Sequence, residues 1–316
     1  MNTQKPLSRI AVTILAYRRA EKLEQLRLAL RSFPTAELFV FCDGARGIAD
    51  ENECRQTQQV AKRFLEDHPE AKIVVRERNW GLNQNIVQSI TTALSTVPFT
   101  VVLEEDVIPQ RGLFEYLAQA EIAYRDQHQV FSIAAFHPIV SDEGPLTTFF
   151  SRRFFCWGWA TWADRWQAML QMMQGNTWPY EHYWQIPSCM GTDCQWAHRQ
   201  HRMGRKRLTW DRLLALWTLK HDLIHLCPST RLTENIGLDG SGENCTASDP
   251  ARRLFEPVHS FDGAVWEFQK SISPKEAMDE KIRIYFTDRH RGYWDSIRKR
   301  LNYELVRMRG LKKYGL

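Results

Sequence analysis

The stretch FTVVLEEDVIP, residues 99–109, runs from an apolar segment straight into Glu104, Glu105 and Asp106 before Pro109 interrupts it. A short apolar run bounded by charge and proline reads as a buried strand with three carboxylates beyond its carboxyl end. The same pattern stands upstream. Ile10 to Leu15 leads into Ala16, Tyr17 and Arg18, Leu38 to Cys42 into Asp43 and Gly44, and Ile73 to Val75 into Arg76 through Gly81. Phe131 to Ala135 makes a fifth run. Between these runs, Leu23, Leu26 and Leu30 recur at helical spacing, residues 51–66 turn Val60 and Phe64 to one side, and Ile86, Val87, Ile90, Ala93 and Leu94 form a third stripe.

Strands alternating with helices imply an α/β fold with a Rossmann-like, mainly parallel central sheet flanked by helices. The ligand site of such a sheet lies beyond the carboxyl ends of its strands. That rule gathers Ala16, Tyr17, Arg18, Asp43, Arg78, Asn79, Glu104, Glu105 and Asp106 into one candidate site. Asn83, just after it, is placed to cap the third helix.

From about residue 146 the texture becomes tryptophan-rich. FFCWGWATWADRW, residues 154–166, carries Trp157, Trp159, Trp162 and Trp166, which cannot all face one side of a regular helix or strand. Aromatic rings stack on the apolar faces of sugars, so Trp157, Trp159 and Trp162 read as an acceptor platform; a tryptophan-rich core is the plain alternative. Asp211 opens a helix running to about Lys220, where a carboxylate either caps the helix or serves as a catalytic base. Asp193 and Glu181 compete for that role. Leu226 to Leu232 reads as extended and residues 237–242 as a glycine-rich loop. The expected organisation is a donor-binding half over 1–145, an acceptor-binding half of the same domain over 146–250, and a basic C-terminal extension over 251–316.

Composition bounds these readings. The chain's 316 residues, 43% hydrophobic, suffice for a full core and argue against disorder over most of it. Seven cysteines without a CxxC pair indicate neither a disulfide framework nor a structural zinc site and fit a reducing cytoplasm. No leader sequence and no run of ~20 apolar residues is visible. The net charge of +5 is concentrated in residues 282–316, which hold ten Lys or Arg against three acids. That tail reads either as a solvated basic helix or as a peripheral contact with the anionic inner membrane face. No base-reading motif accompanies it, so nucleic acid is not an expected partner.

In their order, VTILAYRRAEKLEQLRLAL, FCDG, RERNWGLNQNI, VVLEEDVIPQRGLFEYL, SIAAFHP, CWGWATWADRW and PSTRLTENIG make residues 8–246 resemble the GT-A glycosyltransferases. Within them the likeness is to the N-acetylglucosaminyltransferase I type and to bacterial glycosyltransferases of polysaccharide synthesis. The resemblance implies a metal-dependent, inverting transfer from a nucleotide-sugar donor, with UDP as the expected nucleotide, to a carbohydrate or lipid-linked glycan. It implies Mn²⁺ (or Mg²⁺) held by Asp106, Glu105 on the ribose or sugar, Asp43 reading the base, Arg18 near the nucleotide and Asp211 as general base. Carboxylates suit such hard cations, which stabilise a departing diphosphate. Two departures stand out: residues 241–246, SGENCT, lack a histidine that related enzymes often carry there, and the triplet begins with Glu. A sugar nucleotidyltransferase would need a glycine-rich phosphate loop where this chain has AYRRAEKL. A catalytically silent carbohydrate-binding protein would use the tryptophans alone.

Overall fold

Strict alternation along the first strand sets the layers. In β1 (Ile10–Ala16), Ile10, Val12, Ile14 and Ala16 enter one hydrophobic core while Ala11 and Leu15 enter another on the opposite face. A strand buried on both faces must lie inside a helix-covered sheet. The computed structural model describes residues 10–31, 33, 35–139, 146–174, 179–187, 189, 191–205, 207–241, 265–274 and 276–288. Through residue 134 the elements are β1, α1 (Ala20–Leu30), β2 (Thr35–Cys42), α2 (Ile48–Asp67), β3 (Lys72–Val75), α3 (Leu82–Leu94), β4 (Phe99–Glu104), β5 (Val107–Pro109), α4 (Leu113–Tyr124) and β6 (Val130–Ala134). Then follow β7 (Thr148–Ser151), β8 (Trp159–Trp162), α5 (Ala163–Met173), α6 (Thr192–Arg202), α7 (Trp210–Lys220), β9 (Ile224–Pro228), β10 (Thr233–Asn235) and α8 (Glu276–Asp288).

Eight strands form one mixed, mostly parallel sheet in the order β3-β2-β1-β4-β8-β6-β9-β7, flanked by helices. The first four pair parallel throughout, so their carboxyl ends share one edge. Beyond β4 the sheet changes character. β8 runs antiparallel to both β4 and β6, and β7 antiparallel to β9. Pro109, expected to end a strand, instead belongs to β5, which turns back after the carboxylates and pairs antiparallel with β10.

Leu23, Leu26 and Leu30 of α1 and Ala61 and Phe64 of α2 cover one face with α4; Ile86, Ile90 and Leu94 of α3 cover the other with α5 and α7. Arg27 of α1 ties that helix to α2 by pairing with Asp67, while Glu24 of its own helix holds the guanidinium at 2.9 Å.

The tryptophan block is corrected by this arrangement. Trp159 and Trp162 are 0% and 4% exposed, on opposite faces of β8, so neither is an acceptor platform. A central strand has two interiors, which is how a segment whose tryptophans cannot share one face still buries them. Trp159 packs on Trp210 at 5.9 Å, and Trp162 lies between Phe99 at 5.0 Å and the Arg165 guanidinium at 3.7 Å.

The region expected as a C-terminal extension is also drawn into the fold where it is described. Trp266 is buried against Tyr116, their rings 4.6 Å apart, and Met278 and Ile282 of α8 pack on Phe149 and Phe155. The basic residues from 289 onward, and 242–246 of the SGENCT stretch, lie outside the described residues. Among the described residues no helix is long and apolar enough to cross a membrane, and six cysteines are free.

Candidate functional site

Because β1, β2 and β4 point the same way, the loops after them converge on one cleft. Ala16, Tyr17, Arg18, Asp43, Asn79, Glu104 and Glu105, all selected from strand ends, line it together with Arg19, Arg46, Leu82, Asn85 and Ser241. Its cavity volume is about 120 Å³, small beside the ~300 Å³ or more of enclosed small-molecule pockets. A larger ligand would therefore lie along an open cleft.

Asp43 is the hub of the wall. Its Oδ1 accepts from the Gly44 and Trp80 amides at 2.9 and 2.8 Å, and its Oδ2 from Asn79 Nδ2 and the Gly81 amide at 3.1 and 3.0 Å. A carboxylate offers about four acceptor positions, and all are occupied. As placed, Asp43 stitches the β2 loop to the turn opening α3, and its acceptor positions are taken up there instead of by the base it was expected to read. Asn79 lines the cleft but its amide also bonds the Gly44 carbonyl at 2.8 Å. Arg78 is exposed and absent from the cleft wall; its backbone packs so closely on Gly44 that a Cβ there would overlap it.

The two arginines after β1 diverge. Arg18 Nη1 reaches Asp50 at 3.5 Å and Glu53 at 3.8 Å on α2. Arg19 turns to the carboxylates, its Nε donating to Glu105 Oε1 at 2.8 Å and its Nη1 pairing with Asp106 Oδ2 at 2.7 Å. Tyr17 donates its hydroxyl to Asp50, and Arg46 lies 5.2 Å from the Tyr17 ring centroid. Burial and that hydrogen bond push the Tyr17 phenol up, so it stays protonated.

Glu104 presents some surface at the foot of the cleft but is surrounded by protein. Burial, and then the charges of Asp106, Glu105 and Asp211, hold its carboxyl well above the usual range. Burial also raises Glu105, with Arg19 opposing. Although 107 residues beyond Glu104 in sequence, Asp211 is among the charges that bear on it. Asn83 explains how. It does not cap its own helix, where Gly81 precedes the first turn with a φ of 76°. Instead its Oδ1 accepts from the Trp210 amide at 2.9 Å and its Nδ2 donates to the Leu208 carbonyl at 3.0 Å, tying the start of α7 to the start of α3.

The expected metal ligand, Asp106, does not fit that role as placed. One oxygen bonds Arg19, and the backbone of Gly237 lies so close that a Cβ would overlap that same oxygen. Among the described residues no three His, Cys, Asp or Glu side chains converge as a metal-ligand set. The third tryptophan of the expected platform, Trp157, is half-buried against Phe136 at 4.7 Å, and its carbonyl accepts from Thr233 Oγ1 at 2.7 Å.

Sequence reading missed Arg19, Arg46, Asn85 and Ser241. Arg19 adjoins Arg18, and Arg46 lies in the loop that holds Asp43, so both carried the strand-end signal; Ser241 comes from far down the chain and carried only the signal of the resemblance, as the first residue of the SGENCT stretch. Compared with known proteins, the chain matches no family model, and no curated protein matches its sequence.

Proposed function

We propose that the chain is a glycosyltransferase of the GT-A type that moves a sugar from a nucleotide diphosphate donor, with UDP the expected nucleotide, to a glycan or lipid-linked glycan. The observation that carries the reading is the junction of two parts: a cleft walled by Arg18, Arg19 and Arg46 at parallel strand ends, and Asp211, brought in by α7, acting on Glu104 at its foot.

In this reading the arginines face the donor's diphosphate, whose negative charge grows as the bond to the anomeric carbon breaks. Asp211 takes the proton from the acceptor hydroxyl, whose oxygen forms the new bond to that carbon while the old bond's electron pair leaves with the diphosphate. Burial, and then its acidic neighbours, hold the Glu104 carboxyl above its usual range, which favours its donating a hydrogen bond over adding charge. Since Glu105 and Asp106 are engaged by Arg19, no step is assigned to a divalent ion. The basic residues from 289 onward remain the proposed contact with an anionic membrane at the cytoplasmic face, where a lipid-linked acceptor would be met.

Calorimetric titration with UDP, GDP and dTDP tests the donor site. Saturable binding of one nucleotide, with turnover of its sugar conjugate, is expected. Binding of free glycans with no nucleotide bound at all would point to a silent carbohydrate-binding protein.

A further inference from the structure

Arg19 precedes the first residue of α1, and its carbonyl accepts from the Lys22 and Leu23 amides at 3.1 Å each, so the helix start pins its backbone. From there it bonds both carboxylates. The side chains of Arg19, Glu105 and Asp106 are 20%, 9% and 11% exposed, leaving little water between them. The loop after β10 closes over the group. A Cβ at Gly237 would stand 2.9 Å from Arg19 Nη1 and would overlap Asp106 Oδ2, so no side chain fits at that position. Lys22, one turn into α1, holds the same loop by donating to the Ile236 carbonyl at 2.9 Å and to Asp239 at 2.6 Å.

A divalent ion such as Mn²⁺ or Mg²⁺ needs several oxygen ligands in its first shell, at about 2.0–2.2 Å. At this acidic pair the space in front of Asp106 holds a guanidinium above and glycine backbone beside it. A guanidinium differs from a metal in kind: it is planar, permanently charged and covalently attached. Of its five N–H groups two are engaged by Glu105 and Asp106. The remaining three, one on Nη1 and two on Nη2, have no assigned partner among the described residues, and Arg19 lines the cleft. Paired N–H groups of this geometry match two oxygens of a phosphate.

We propose that Arg19 is a built-in cation that holds the position of a divalent metal at Glu105 and Asp106, so that the cleft receives a diphosphate without a divalent ion. The diphosphate half rests on the glycosyltransferase reading; the cation half rests on geometry alone. Removing the guanidinium while keeping the carboxylates should convert the pair into a metal site.

The first measurement is a Mn²⁺ titration of the unmodified protein without nucleotide, by calorimetry or water-proton relaxation. No saturable site is expected below about 1 mM, whereas Arg19→Gln should bind one Mn²⁺ at least about tenfold more tightly. Adding Asp106→Asn to that variant should abolish the gain. UDP affinity of the unmodified protein should change by less than about twofold between EDTA and Mn²⁺. A single tight Mn²⁺ site in the unmodified protein, lost in Asp106→Asn, overturns the proposal, as does a folded Arg19→Gln that binds no ion. If Arg19→Gln does not fold, the unmodified protein's own titration decides. Should no nucleotide bind in either buffer, the diphosphate reading falls, and the Mn²⁺ titration still decides whether Arg19 holds the metal's position.

Discussion

Both halves of the sheet hold buried strands, with the edge strand β3 only partly covered, yet one carries the candidate chemistry and the other the tryptophans. In β3-β2-β1-β4 all strands run the same way, so their loops deliver Tyr17, Arg19, Asp43 and Glu105 to one edge. In β8-β6-β9-β7 direction alternates at two of the three pairings, and carboxyl ends fall on both edges. Polar side chains there meet inside the fold instead of at one shared edge, as Ser132 and His225 do. That half buries Trp159, Phe149, Phe150 and His225, and Trp159 packs on Trp210 at the start of α7.

The largest expected effect breaks the link between the halves. Asp211→Asn should lower turnover by about 10²–10⁴-fold, the range for removing a general base, and leave nucleotide affinity within about twofold. Steady-state kinetics beside calorimetry checks this, and near-normal turnover would reassign the base. Next comes the packing of the mixed half: Trp159→Ala should cost about 3–5 kcal/mol of stability in urea unfolding, as expected for a fully buried tryptophan. A loss of glycan binding with stability unchanged would restore the platform reading.

Acid should also attack the mixed half first. Burial pushes His225 and His137 down to about 3 from 6.5. Buried His225 bonds Ser132 Oγ through Nδ1 at 2.8 Å and Thr218 Oγ1 through Nε2 at 3.2 Å. The folded state therefore binds fewer protons than the unfolded chain. This contribution is complete above pH 6.5 and is lost as pH falls toward 3, by about 1.4 kcal/mol per pH unit for each histidine. His225→Gln should remove about half of that slope in denaturation measured from pH 7.5 to 5. Glu104 works in the opposite sense: its raised carboxyl contributes fully below 4.5 and loses that contribution as pH rises. The smallest effect sharpens the comparison most. Asn83→Ala should cost only about 1 kcal/mol, yet lower turnover about tenfold by loosening Asp211, with nucleotide affinity unchanged.

Local pattern made the parallel half legible. Apolar runs of strand length, helical stripes between them and charge at each run's end follow from period-2 and period-3.6 burial, which sequence alone records. The tryptophan block was misread because periodicity cannot tell a two-sided central strand from a segment with an exposed face. Only the insertion of β8 between β4 and β6 settles it. The acidic triplet was legible as charge at a strand end, while its partner was not, since nothing local distinguishes Arg18 from Arg19.

By itself, then, the sequence determined the alternating α/β order of the first 135 residues and which strand ends carry polar groups. Those depend on neighbours a few residues apart. Tertiary structure alone decided that Asp43 is saturated by the turn opening α3, that Asn83 caps α7 instead of its own helix, and that Arg19 faces Glu105 and Asp106. Each is a contact between residues 36 to 127 positions apart, where hydrogen-bond direction and available space choose the partner and no local period can.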